Sequence, residues 1–204
     1  MQKAIITAVG LLAVAALHSP ATPFSFDSVD VQRQIADNTT TVSILDATSS
    51  DLINDLNVFV DLDHSWVGDL RISIRHENTG TEVVLFNRAG GFFQDIRKVT
   101  FDDQASVSFT DPSLTPTFGP GSFRPQSGNL SLSSFDGESL NGAWTLTIED
   151  LEVGYNGRLR SWSLRGDASA PSVPDAGSTL SLFLLGILPC AVAGHFLRRA
   201  KRLS

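Results

Sequence analysis

The segment LNVFVDLDHSWVGDLRISIR, from Leu56 to Arg75, decides the fold. Apolar and polar residues alternate in LNVFVDL at its start and again in DLRISIR at its end. Successive side chains of a β-strand point to opposite faces, so this period of two predicts two strands that each have one apolar face. The letters HSWVG between them, with a glycine at position 68, are typical of a turn.

The same alternation recurs in four further segments, which are TTVSIL (40–45), TEVVLF (81–86), KVTFDD (98–103) and WTLTIED (144–150). Turn-forming sequences separate the segments, among them ENTG, RAGG, FGPGSF and GYNG. Many short strands between turns predict an all-β domain, built as a sandwich, a jelly roll or a barrel. In GRLRSWSLRG, Leu159 is out of phase with Trp162 and Leu164, which predicts a β-bulge near Arg160 or Ser161.

The first 21 residues have the plan of a secretory signal peptide. Lys3 precedes an apolar run from Ala4 to Leu17, and small residues follow at Ser19 and Ala21. A positive start, a short apolar core and a small-x-small cleavage site are typical of such a peptide, so we expect cleavage after Ala21 and export of the chain. A buried N-terminal helix is the alternative.

The last residues have the plan of a membrane anchor. A linker rich in Ala, Ser and Pro (168–178) leads to an apolar stretch over 179–197 that has no acidic residue, lysine or arginine. Such a stretch is long enough to cross a bilayer as a helix. The basic residues of 198–204 favour a cytoplasmic end for this tail. The sequence therefore predicts a signal peptide, one exported domain over 22–167, the linker, a transmembrane helix and a short basic tail.

The exported domain is acidic and has no cysteine. Ten of the 15 basic and 21 of the 22 acidic residues lie between Thr22 and Ser172, which gives this segment a net charge of −11. Nucleic acids attract basic patches, so we expect no nucleic-acid partner. The one cysteine, Cys190, lies in the predicted helix, so the domain has no disulfide and no thiolate chemistry.

The end of the chain, VPDAGSTLSLFLLG…RRAKR, has a Val-Pro-acidic motif, an apolar stretch and a basic end in this order. It resembles the C-terminal sorting signal of the PEP-CTERM class, in its VPDSG-like variant. Ala176 stands where the family has serine. The residues that match the motif are Val173, Pro174, Asp175, Gly177, Ser178 and Thr179. The resemblance implies recognition by an exosortase and delivery to the bacterial envelope or cell surface, and a plain membrane anchor is the alternative.

The exported domain contains a series of short motifs. They occur in the order HSWVGDL (64–70), GT (80–81), DDQA (102–105), FRP (123–125), FDG (135–137), GAWTL (142–146) and SWSL (161–164). In these motifs the domain resembles the P domain, also called the P/Homo B domain, which follows the catalytic domain of proprotein convertases and of many bacterial subtilisin-like proteases. The resemblance runs from about Ile35 to Leu164. The resemblance implies a jelly-roll β-sandwich of about eight strands and an accessory role in proteolysis, not the catalytic one.

His64, Ser65 and Asp69 raise the question of a serine-protease site. A catalytic triad needs a nucleophile, a base and an orienting acid that converge in space. Ser65 follows His64 directly, so their side chains should diverge, and the chain has no Gly-x-Ser-x-Gly elbow. We therefore expect no catalytic residues: His64 holds a strand-to-turn corner, Gly68 supplies a turn angle, and Asp69 accepts backbone N–H bonds. His76 is expected to be a solvated turn residue.

Several aspartates stand near predicted strand ends, which raises the possibility of bound Ca²⁺. Calcium takes six to eight oxygen ligands, often from carboxylates. The resemblance implies calcium binding in some bacterial P domains, and the acids at the family's recurrent positions are Asp69, Asp103 and Asp150. Turn-capping or solvated aspartates are the alternative, since there is no EF-hand loop.

The aromatic residues divide into an expected core and candidate binding residues. Trp144 and Trp162 fit the core of a sandwich, as do Phe101 and Phe123. A carbohydrate-stacking platform would need exposed rings, and its candidates are Phe59, Phe92, Phe93 and Phe118.

The sequence leaves three functions open. The first is a non-catalytic exported protein that binds another protein or assists proteolysis. The second is a protein that binds an exopolysaccharide or surface matrix. The third is a serine-endopeptidase-related role inherited through the family alone.

Overall fold

The computed structural model describes residues 19–109, 117–126 and 130–172. The predicted sorting motif, membrane helix and basic tail lie outside these residues, as does the signal peptide before Ser19. Within the described residues, no helix has both the length and the apolar character needed to span a membrane.

Strands and two short 3₁₀ helices make up the secondary structure of the described residues, and there is no α-helix among them. The strands are β1 (Thr22–Asp27), β2 (Arg33–Ile35), β3 (Thr40–Ala47), β4 (Leu52–His64), β5 (Leu70–His76), β6 (Glu82–Asn87), β7 (Gln94–Phe101), β8 (Thr117–Phe118), β9 (Gly121–Phe123), β10 (Gly142–Asp150) and β11 (Gly157–Ser169). The 3₁₀ helices are η1 (Val67–Asp69) and η2 (Leu132–Phe135). Three strands, β2, β8 and β9, have only two or three residues, and the other eight have six or more.

The strands form two sheets. One has the order β1-β11-β4-β7, with β2 paired to β11 and with β8 and β9 paired in parallel to β7. The other has the order β3-β10-β5-β6 and is antiparallel throughout. The predicted all-β sandwich is therefore confirmed.

The alternation predicted from the sequence places the core. Leu56, Val58, Val60 and Leu62 of β4 are all buried, and the residues between them are more exposed except near the end of the strand. The apolar residues of β5 and β10 are buried in the same way: Leu70, Ile72, Ile74, Trp144, Leu146 and Ile148. Because each sheet turns one apolar face inward, the hydrophobic effect holds the two sheets together.

The predicted bulge is confirmed, because the register between β11 and β4 shifts between Leu159 and Ser161. FGPGSF, by contrast, was expected only to form a turn. Its residues instead include the last residue of β8 and all of β9, which extend the sheet along β7, and Phe118 is buried in the core.

The sandwich has two ends with different contents. β4 and β11 pair over their whole length, from Leu52 opposite Ser169 to His64 opposite Gly157. The end that carries His64 and η1 is called the η1 end here, and the end that carries Leu52 and η2 the η2 end. β10 reaches the η1 end at Asp150, which pairs with Leu70, and the η2 end near Trp144, which pairs with His76.

Candidate functional site

His64 lies in a closed corner at the η1 end. Its side chain and that of Asp150 are fully buried, and Nε2 lies 3.2 Å from Oδ2 of Asp150. Nδ1 lies 2.9 Å from the carbonyl oxygen of Trp66 and 3.2 Å from the amide nitrogen of the same residue. The backbone N–H of His64 donates to Oδ1 of Asp95 at 2.9 Å. The ring thus ties the end of β4 to the end of β10 and to the turn before η1.

This arrangement has the acid–histidine half of a triad without the nucleophile. Asp150 and Trp66 occupy the two ring nitrogens, and the hydroxyl of Ser65 makes no hydrogen bond within the described residues. A general base needs one ring nitrogen within hydrogen-bond reach of the proton that it removes. The corner therefore fits the architectural role expected for His64.

Gly68 and Asp69 reach the expected corner but act differently there. The backbone of Gly68 is not left-handed. A Cβ at this position would stand 2.6 Å from the carbonyl oxygen of Gly91, so the glycine permits a close approach of two backbones. Asp69 donates its own N–H to the carbonyl of Trp66 and accepts from Leu151 through its carbonyl. The expected side-chain bonds to backbone N–H groups do not form among the described residues.

The carboxyl of Asp69 is buried in an acidic neighbourhood. Burial raises its pKa, and the carboxylates of Asp150 and Glu152 raise it further, while His64 and Arg88 oppose them. Arg88 also bonds Oε1 of Glu152 at 2.5 Å and the carbonyl of Gly68 at 3.2 Å. The ionised carboxylate of Asp69 therefore lowers the free energy of unfolding.

Asp103, the third acid of the expected calcium site, lies at the η2 end. Its carboxylate accepts the backbone N–H groups of Leu132 (3.2 Å) and Ser133 (2.9 Å) and so caps η2. β4 spans the distance between the two ends, and 13 residues at about 3.3 Å each give roughly 40 Å. The structure thus does not bring Asp103 together with Asp69 and Asp150, and calcium binding stays a prediction. No group of three or more Asp, Glu, His or Cys residues within 19–109, 117–126 and 130–172 is arranged to hold a metal ion.

His76 holds the opposite corner, at the η2 end. The expectation that it is a solvated turn residue is wrong, since its exposed fraction is 1%. Its ring stacks on Trp144 with centroids 4.3 Å apart and planes within 5°. Nδ1 lies 2.9 Å from Oε2 of Glu138, and Nε2 lies 3.2 Å from the carbonyl of Asn141. Both ring nitrogens therefore face acceptor oxygens.

Glu138 is the counterpart of this ring. Burial alone would raise the pKa of Glu138, but hydrogen bonds from Thr81, His76 and Thr79 outweigh it and hold the pKa below its usual value. The hydroxyls of Thr81 and Thr79 donate to the two carboxylate oxygens at 2.5 and 2.8 Å. The carboxylate is thus ionised and well satisfied in its corner.

The two core tryptophans are both buried, and both indole N–H groups have acceptors. Nε1 of Trp144 donates to the carbonyl of Leu140 at 3.0 Å, and Nε1 of Trp162 donates to the hydroxyl of Ser43 at 2.7 Å. Buried indoles that keep a hydrogen-bond partner combine a large apolar area with no orphaned donor. Both residues fit the structural role expected from the sequence.

Of the four candidate platform residues, only Phe92 is well exposed. Phe118 is fully buried and Phe93 packs against the core. The ring of Phe59 lies under the guanidinium of Arg165, 4.4 Å from its centroid. Phe92 is 62% exposed and lies in the turn before β7.

Phe92 belongs to a group of three exposed rings at the η1 end, called the aromatic shelf here. Trp66 stacks on Tyr155 with centroids 5.5 Å apart and planes within 13°, and it meets Phe92 edge-on at 6.3 Å. Trp66 is 37% exposed and Tyr155 is 42% exposed. The shelf residues come from three separate turns.

A polar cleft of about 470 Å³ adjoins the shelf. Ser65 and Asn156 line it, and their chain neighbours Trp66 and Tyr155 carry two of the shelf rings. The full lining is Gln34, Asp63, His64, Ser65, Asp95, Asn156, Gly157 and Arg158. The side chains of Gln34, Asn156 and Arg158 make no hydrogen bond within the part of the chain that the structure describes.

Sequence reasoning missed Trp66 and Tyr155 as surface residues. Both stand in segments assigned to turns, HSWVG and GYNG, where no alternation predicts burial. A large aromatic residue in a turn was the available signal, since turns run over the surface.

The fold and its two corners define a β-sandwich domain without a complete catalytic triad among the described residues. Its sequence matches the family model of the proprotein convertase P-domain over residues 53–166. The match covers more than half of the 204 residues, so the chain belongs to the proprotein convertase P-domain family. The match begins within β4 and ends within β11, and β1 to β3 precede it.

Two solved structures are similar to this chain. One is the serine protease of Aeromonas sobria in complex with the chaperone ORF2, at 22% identity and a TM-score of 0.41 over 76% of this chain and 27% of that one. The other is the serine protease of Aeromonas sobria, at 20% identity and a TM-score of 0.41 over 78% of this chain and 28% of that one. This chain thus spans about a quarter of the length of those proteases. No curated protein matches it.

Proposed function

We propose that this protein is a proteolysis-associated accessory module that acts by binding and does not itself cleave peptides. The match to the proprotein convertase P-domain over residues 53–166 carries the proposal. In proprotein convertases the P domain is a non-catalytic module beside the catalytic one. The partner for this chain would be a serine protease.

The His64 corner supports the non-catalytic part of the proposal. A serine nucleophile activated by His64 would need Nε2 or Nδ1, and Asp150 and Trp66 take both nitrogens. Burial of the His64 and Asp150 side chains also keeps substrate from the pair. An acid–histidine pair without an accessible nucleophile performs no acyl transfer.

Export and surface sorting belong to the same proposal. They rest on the sequence alone: the apolar N-terminal run, the VPDAGST motif and the apolar and basic C-terminal segments. An exosortase would be the processing partner, and the domain would work outside the cytoplasm. The jelly-roll connectivity has support from the two sheets, since the eight longer strands divide as β1-β11-β4-β7 and β3-β10-β5-β6.

The accessory role is tested by mixing the full-length chain with each serine protease of the source organism in turn. We expect one protease to show a longer half-life of thermal inactivation with the chain than without it, because binding to the native state stabilises it. The chain alone should hydrolyse no member of a peptide library. Hydrolysis that disappears in His64→Ala would contradict the proposal, as would unchanged half-lives for every protease.

Export is tested by mass spectrometry of the protein recovered from its native cells. We expect an N-terminus near Thr22 and loss of the residues after the sorting motif. An intact first residue would contradict export, and an intact C-terminal segment would contradict sorting.

A further inference from the structure

We propose that the aromatic shelf and the polar cleft beside it bind a neutral β-linked oligosaccharide. The proposal does not rest on the accessory role in proteolysis. It starts from three rings that remain exposed, and from a cleft in which the side chains of Gln34, Asn156 and Arg158 make no hydrogen bond within the described residues.

The shelf offers ring surface of the size that a sugar needs. Trp66, Phe92 and Tyr155 are 37%, 62% and 42% exposed, and each aromatic side chain has about 200 Å² of surface, so roughly 300 Å² is open to solvent. Pyranose rings with equatorial hydroxyls present flat C–H faces, which pack on aromatic faces. Among the described rings, only Trp66 contacts Tyr155, so one face of Tyr155 is free of aromatic contact.

The cleft offers the polar half of a sugar site. Gln34, Asn156 and Arg158 present amide and guanidinium groups, and Asp95 adds a carboxylate that also anchors the backbone of His64. Planar groups of this kind hydrogen-bond adjacent hydroxyls in pairs. Asp63 in the same cleft is already ion-paired with Arg97 and with Arg160, so it adds little charge for a ligand.

Charge and area favour a neutral glycan over other ligands. The net charge of −11 between Thr22 and Ser172 disfavours an anionic polymer. A stable protein partner usually buries about 800 Å² on each side around an apolar centre. The shelf has less than half of this area, and beside it the surface becomes a polar cleft. A sugar chain fits such a surface, because its C–H faces pack on the exposed rings while its hydroxyls bond the polar groups of the cleft.

The shelf stands on a rigid base. Trp66 lies two residues after His64, whose ring contacts Asp150 and the carbonyl of Trp66. The backbone N–H of the next residue, Val67, donates to the carbonyl of Phe93 at 2.8 Å. Hydrogen bonds between turns from different strands hold the rings in place before a ligand arrives. Such preorganisation lowers the entropic cost of binding.

The test is titration of the full-length chain with cellohexaose, xylohexaose and laminarihexaose, followed by tryptophan fluorescence and calorimetry. Trp144 and Trp162 are buried, so Trp66 is the one exposed tryptophan among the three in the chain. We expect a shift in its emission with at least one of the sugars. Tyr155→Ala and Phe92→Ala should each weaken binding about tenfold, and Arg158→Ala should weaken it as well.

Two control variants remove exposed apolar side chains outside the shelf. Val29 and Leu130 are 96% and 51% exposed, and Val29→Ala and Leu130→Ala should leave the affinity unchanged. Thermal melts of every variant exclude loss of folding. Absence of binding to all three sugars would overturn the proposal. So would an affinity in Tyr155→Ala, Phe92→Ala and Arg158→Ala that equals the affinity of the natural protein. Loss of protease stabilisation in Tyr155→Ala, without any sugar binding, would assign the shelf to a protein partner instead.

Discussion

The two buried histidines close opposite ends of the sandwich in different ways. His76 at the η2 end meets a carboxylate, a carbonyl and the face of Trp144, and its partner Glu138 accepts two threonine hydroxyls. His64 at the η1 end meets Asp150, but its corner also holds Asp69, which has no side-chain hydrogen bond within the described residues. The η2 corner is satisfied within itself. The η1 corner holds Asp69, whose pKa is raised by burial and by nearby carboxylates, and exposed rings lie on its outside.

The largest expected effect removes the ring that supports the η2 corner. Trp144→Ala should lower the free energy of unfolding by about 3–5 kcal/mol, because a large buried ring leaves a cavity and loses its stacking on His76. Urea denaturation measures the change. Trp66→Ala at the η1 end is the matched control and should cost less than half as much, since that ring is partly exposed. Equal losses of unfolding free energy in Trp144→Ala and Trp66→Ala would contradict the expected difference in packing between the two corners.

The next effect tests the pair at the η1 end. His64→Ala should cost about 3 kcal/mol, because the buried Asp150 carboxylate then keeps, among the described residues, only the N–H of Glu152 at 3.3 Å. The double variant His64→Ala/Asp150→Ala should lose less than the sum of the two single variants, since both remove the same contact. Additive losses in urea denaturation would show that the two side chains are not coupled.

Glu138 at the η2 end and Asp69 at the η1 end should give opposite pH dependences of stability. The folded pKa of Glu138 is lowered, so its contribution is present above its unfolded pKa of about 4.3 and is lost as the pH falls through the folded pKa. Glu138→Gln should therefore lose about 1–3 kcal/mol at pH 7 and little at pH 3.

The folded pKa of Asp69 is raised, so its stabilising contribution is present below about pH 3.9 and is lost as the pH rises through the folded value. Asp69→Asn should consequently be more stable than the natural protein at pH 7, and this gain should vanish at low pH. Thermal melts between pH 3 and pH 7 measure both variants. A stabilising Glu138→Gln, or an Asp69→Asn that is equally destabilised at every pH, would reverse the comparison of the corners.

A smaller effect concerns the cap of η2. Asp103→Ala removes the acceptor for the N–H groups of Leu132 and Ser133 and should cost about 1 kcal/mol in urea denaturation. Asp103→Asn keeps one acceptor oxygen and should lose less. A loss in Asp103→Ala that Ca²⁺ chelation already produces in the natural protein would indicate a bound ion at this end.

The smallest effect on stability is expected at the shelf. Tyr155→Ala should change the free energy of unfolding by no more than about 0.5 kcal/mol, because an exposed loop side chain has little to lose on truncation. A change of several kcal/mol would show that the shelf is part of the core packing, and the contrast between a tight η2 end and an open η1 end would fail.

Local patterns predicted β3 to β7, β10 and β11, their inward faces and the bulge, but they did not predict β1, β2, β8 or β9. The alternation in β4, β5 and β10 depends only on neighbouring residues, so it can be read without knowing which strands pair. The phase error around Leu159 likewise predicted the register shift that separates Leu159 from Ser161.

The contacts of the corners could not be predicted in this way. Asp150 stands 86 residues from His64, and Glu138 stands 62 residues from His76. They meet because β10 lies beside β5 and ends at the tip of β4, which is a property of the sheet order. The same holds for Phe118, whose burial follows from the parallel pairing of β8 with β7. His76 was misassigned because its neighbours are those of a surface turn.

The pairing of β1 with β11 places the two ends of the described chain at the same end of the sandwich. Thr22 lies opposite Ala168, so the polypeptide enters and leaves the sandwich side by side. Ala168 in turn lies beside Ile53, whereas Gly157 lies beside His64. The described chain therefore enters and leaves the sandwich at the η2 end, whereas the three exposed rings lie at the η1 end.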